Sequence, residues 1–130
     1  MNDSIPQSVL RRLNAEVQHS IQAPASFLEA WKRGVQLAGT HWFGDGTPAQ
    51  MDRATTKDDL VPRLTAIKSS IGVLSGGEQT FLAAMVSFYD TREGGTLLRR
   101  TGFQGLADLT NLDLRHRQVI ADLILHYAGW

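Results

Sequence analysis

The sequence predicts an all-α fold: a compact bundle of about five main helices with one long irregular loop. Three observations carry that expectation. Apolar residues recur at three- and four-residue steps through most of the chain, the period of a helix with one buried face. Alternation with period two, the mark of a half-buried strand, is confined to short stretches such as Leu13 to Gln18 and Asn111 to Arg115, both set in helical patterns. A chain of 130 residues, 42% hydrophobic and 20% charged, suits one core, so residues 1–130 read as a single helical domain.

The first helix is expected over residues 4–22, where Ile5, Val9, Leu13, Val17 and Ile21 stand four apart with Leu10 beside them. Arg11, Arg12, Asn14, Glu16 and Gln18 fall elsewhere on the wheel, and Ser4 with Gln7 has the spacing of a reciprocal cap. Pro6 is tolerated in a first turn. Pro24 is expected to interrupt, since it lacks the amide hydrogen that an interior helical position donates. A second helix then carries Phe27, Leu28, Trp31, Val35 and Ala38 on one face. Gly39 ends it by taking a left-handed conformation closed to bulkier residues.

From Thr40 to Lys57 no period is sustained and the chain reads mostly as loop, with a turn at Gly44-Asp45-Gly46 and one helical turn capped by Thr47. A third helix is expected from near Asp59, with Pro62 in its first turn and Leu60, Val61, Leu64, Ile67 and Ile71 as its apolar residues. The fourth has the clearest start: Ser75 and Glu78 form a capping box, followed by Phe81, Leu82, Met85, Val86, Phe88 and Tyr89. Gly94-Gly95 is expected to break the chain before a short turn carrying Leu97, Leu98, Arg99 and Arg100. Leu106 to Leu109 suits another turn. The last helix runs from about Asp113 to Ala128, with Val119, Ile120, Leu123, Ile124 and Tyr127 inward and Gly129 as its stop. The expected core comprises Leu13, Val17, Phe27, Trp31, Leu64, Ile67, Phe81, Leu82, Met85, Ile120, Leu123 and Ile124.

Leu74-Ser75-Gly76-Gly77-Glu78-Gln79 resembles the signature motif of ABC-type ATPases, and the helix after it resembles the one that follows the motif in their chromosome-organising relatives. That motif works beside a phosphate cradle. Here no lysine follows any glycine, so a G-x-x-x-x-G-K-[ST] loop is missing, as is an apolar strand ending in Asp-Glu. The resemblance spans six of 130 residues, and the physical reading of Ser75 and Glu78 is a helix cap.

Composition narrows the chemistry. There is no cysteine, which removes thiol catalysis, disulfides and thiolate metal sites. His19, His41, His116 and His126 include no pair three or four apart, the spacing a helical zinc site wants, so no metal or cofactor is expected. Thirteen basic against thirteen acidic residues give no long-range field to gather nucleic acid or an anionic membrane. The opening residues lack a basic region followed by an apolar run, and the longest apolar run, Phe81 to Val86, is far too short to span a bilayer. A cytoplasmic protein is expected.

The functional expectation is a small non-enzymatic module, binding or regulatory, that works on another protein. Its contact residues are expected to be Trp42 and Phe43, two large partly exposed aromatics in the longest irregular stretch, with Arg99 and Arg100 on an exposed turn. No catalytic residue is assigned. One rival is a small enzyme using the 41–53 loop, which gathers His41, Asp45, Asp52 and Arg53. The other is a nucleic-acid-binding regulator gripping phosphate with Arg99, Arg100, Arg115 and Arg117.

Overall fold

In the computed structural model, which describes residues 5–130, the chain is all-α, as expected. Its α-helices are α1 (Gln7–Ala38), α2 (Pro48–Arg53), α3 (Leu64–Ser70), α4 (Gly76–Tyr89), α5 (Thr91–Arg100) and α6 (Leu114–His126), joined by short 3₁₀ turns. The only extended pairing among the described residues is a single antiparallel bridge between Phe43 and Pro62.

The largest difference from the sequence expectation lies in α1. Pro24 does not separate two helices; it sits inside one helix of 32 residues. Proline removes the hydrogen bond to the carbonyl four residues back, here that of Ser20, and both residues are exposed, so water can take the freed acceptor. Ala23, which a following proline steers away from helical angles, is buried in the core, and that packing holds it helical. The helix begins at Gln7 with Pro6 at its cap position; the expected cap Ser4 lies outside the described residues. At the other end Gly39 has φ +118°, and its amide closes α1 on Val35 O at 2.9 Å.

The second half of α1 is the spine of the core. Ala23, Phe27, Ala30, Trp31, Gly34 and Val35 are buried, and α6 runs antiparallel beside them, with Gly34 against Val119 and Arg33 paired to Asp122 at 2.6 Å. Trp31 donates its indole N–H to the Leu60 carbonyl at 2.9 Å. Its ring meets Phe43 edge-on, with centroids 5.6 Å apart.

Two further expectations are corrected. The third helix starts at Leu64, not near Asp59, because Val61, Pro62 and Arg63 are extended alongside Trp42 and Phe43. Gly44 N–H donates to Val61 O and Arg63 N–H to Trp42 O, both at 2.8 Å. Gly94 and Gly95 do not break the chain: both lie inside α5. A Cβ on Gly94 would stand 2.2 Å from the Ser87 Cα, so glycine there lets α4 and α5 fold back on each other at backbone contact. Ser75 and Glu78 cap α4 as the sequence indicates, at 3.3 Å and 3.2 Å. Asp113 caps α6 at 3.0 Å.

Most of the expected core is buried, including Phe27, Trp31, Ile67, Phe81, Leu82, Met85, Ile120 and Leu123. Leu64 packs at its edge. Leu13, Val17 and Ile124 do not belong to it: all three are exposed. Tyr127, expected on the inward face of the last helix, is also exposed.

Candidate functional site

The two aromatics expected at the surface are inside. Trp42 is 4% exposed and Phe43 1%, which corrects the expectation of partial exposure and leaves neither ring a face for a partner to grip. The reason is the 42–44 pairing with 61–63: it pulls the segment onto the core and turns both rings under the loop. His41 packs at a tilt against Trp42 with ring centroids 4.4 Å apart, and its carbonyl accepts the Arg63 guanidinium at 2.7 Å.

The polar residues of the 41–53 loop serve local structure. Asp45 accepts the Thr47 hydroxyl at 2.6 Å and the Thr47 amide at 2.9 Å, and these two bonds, the hydroxyl's first, hold its carboxyl below the ordinary carboxylate value. Thr47 in turn caps α2 through the Gln50 amide at 3.2 Å. Asp52 and Arg53 are exposed on α2. His41 is engaged with Trp42, and Asp45 with Thr47, rather than with each other.

Arg99 and Arg100 are exposed, in the last turn of α5 rather than on a separate turn, where positive charge complements the helix dipole. Arg99 reaches Thr96 on its own helix at 3.2 Å. Arg117 donates to the Leu112 carbonyl at 2.8 Å, and Arg115 lines a groove with Arg33, Leu37 and Leu114. Arg99 and Arg117 are thus each tied to their own neighbourhood.

The surface that stands out is one the sequence reading assigned to the core. Every residue from Arg11 to Gln22 is exposed, so the first half of α1, about 24 Å of helix, extends beyond the body. Eighteen residues make about five turns. Val9, Leu13 and Val17 therefore fall on the same face as Phe27, Trp31 and Val35: one apolar stripe runs along α1, covered along its second half and open along its first. Leu13 is 44% exposed, Val17 55% and Ile21 67%. At the root of this arm His19 stacks on His126 with centroids 5.3 Å apart, and the end of α6 exposes Ile124 and Leu125.

Beside the root lies a cleft of about 640 Å³ lined by Pro24, Phe27, Leu28, Lys57, His126 and Gly129 among others. Its floor is a latch that the sequence did not reveal. Trp130 donates its indole N–H to Asp58 at 3.0 Å, and Lys57 bonds the Gly129 carbonyl while its ammonium lies 5.1 Å from the Trp130 ring centre. Trp130 also stacks edge-on against Trp31 at 4.8 Å, so the closing residues seal the core near the arm.

No group of three or more metal-ligating side chains occurs among the described residues, and no helix there is long and apolar enough to cross a membrane. Compared with known protein families, curated proteins and solved structures, the chain matches none of them.

Proposed function

We propose that this chain is a protein-binding module whose contact surface is the free half of α1. One observation carries the reading: an amphipathic helix whose apolar stripe is buried along Phe27, Trp31 and Val35 continues with the same stripe in water along Leu13, Val17 and Ile21. Apolar side chains exposed in a row gain from being covered. A helix laid by its apolar face against another surface is a common mode of protein recognition, read through anchors one helical turn apart. Arg99 and Arg100, at the end of α5, are kept in this proposal only as surface charges that modulate the choice of partner.

Replacing Leu13 by Asp puts a charge at the middle of the stripe without touching the core. The expected result is an unchanged melting temperature and circular dichroism, with loss of the proteins that the wild-type chain retains by cross-linking in its native cell. If the variant retains the same proteins as the wild type, the arm is not the contact surface.

A further inference from the structure

We infer that the arm pairs with the arm of a second copy of this chain, antiparallel and centred on Leu13. This rests on the reading of the arm as a docking face and names its occupant. The stripe is centred on Val9, Leu13 and Val17, in steps of four within the helix. It reads the same from either end. In a two-fold pair each contact occurs twice: Leu13 faces Leu13 of the second copy, and Val9 faces its Val17. Stripes built on four-residue steps are the ridges that interlock when two helices cross at about −50°. The contact is then tightest around Leu13 and opens outward beyond Val9 and Val17.

The flanks specify direction. At about 100° per residue, Arg12 and Glu16 lie together on one side of Leu13, while Leu10 and Val17 lie on the other. In an antiparallel pair each flank meets its own counterpart running backwards. Arg12 of one copy then stands beside Glu16 of the other, twice by symmetry, and Leu10 packs near Val17 of the other. A parallel pair would set the Arg12 and Glu16 flank against the one bearing Gln7, Asn14 and Gln18, with no charge to match. The arm has no aromatic residue and only Arg11 and Arg12 as full positive charges, a poor match to helices that lie on anionic membranes.

A single helix crossing buries less than about 1,200 Å² in total, the range of weak association, so sedimentation should be followed from about 1 to about 100 µM protein, which spans micromolar dissociation constants. Wild type should pass from monomer to dimer in that range. Leu13→Asp should remain monomeric. Arg12→Glu should weaken the dimer about tenfold by setting like charges together twice, and adding Glu16→Arg should restore it. The chain has no cysteine, so introduced thiols report the register: Leu13→Cys should form a disulfide-linked dimer alone, whereas Val9→Cys and Val17→Cys should do so only when mixed.

A wild-type chain that stays monomeric throughout overturns the inference, and so does one whose arm binds anionic vesicles in place of a second copy. If such a monomer still loses its cellular partners on Leu13→Asp, the docking face stands and only its occupant was misassigned. A dimer indifferent to both Leu13→Asp and Arg12→Glu uses another surface and overturns the inference and the docking face together.

Discussion

The two halves of α1 have the same apolar period and different fates. Between Ala23 and Val35 the stripe carries Phe27 and Trp31, and α6, the 57–60 turn and the closing Trp130 converge on it. Between Gln7 and Gln22 it carries only aliphatic residues, and His19 stacked on His126 links it to the body. Periodicity says that a helix has a face to bury. What buries it depends on where the rest of the chain goes.

The contrast is broken most directly by cutting equivalent positions. Trp31→Ala, in the covered half, should destabilise the fold by about 3–5 kcal/mol, because it empties the centre of the core and leaves the Leu60 carbonyl without its donor. Val17→Ala, one stripe position in the open half, should change monomer stability by no more than about 0.5 kcal/mol. Chemical denaturation of the two proteins at low concentration checks this, and similar losses at both sites would mean that the arm is packed on the body.

Pro24 is the joint between the halves. Pro24→Ala restores an interior amide donor and should favour the helical arm by up to about 3 kcal/mol, read as slower hydrogen exchange at residues 15–23. Exchange in the buried half should barely move, since it is already governed by the core. If self-pairing holds, protection of the arm should also rise with protein concentration.

Acid should act on the capping carboxyls of the body. Asp45, Asp59, Glu78 and Asp113 are all held below the ordinary carboxylate value: Asp45 chiefly by the Thr47 hydroxyl, Asp59 by the Thr55 and Thr56 amides, Glu78 by Ser75 and Asp113 by the His116 ring. A carboxyl depressed on folding contributes stability above its unfolded value, about 4, and loses it as pH falls toward the folded one, because the unfolded chain takes up protons first. The melting temperature should therefore decline below about pH 4, and Asp113→Asn should make that decline shallower. A slope unchanged by the substitution would remove the His116 bond as a cause.

Local chemistry was legible in the sequence. The Ser75 and Glu78 box, the Thr47 cap, the Gly39 stop and the all-α class each depend on residues a few positions apart, and each formed as expected. Pro24 and the Gly94-Gly95 pair are local signals that tertiary contacts overrode, Pro24 through the burial of Ala23 and the glycines because Ser87 needs a neighbour without a Cβ. The site was half legible. The amphipathic stripe of α1 is plain in the residues, but Leu13 and Val17 read as core because a period records only that a side chain avoids water, not that anything in the same chain covers it. Trp42 and Phe43 gave the opposite error: irregular backbone around them suggested exposure, and the pairing of Phe43 with Pro62 across the loop buried them. Which apolar surface is closed and which stays open is decided by contacts between distant segments, and only the tertiary structure holds those.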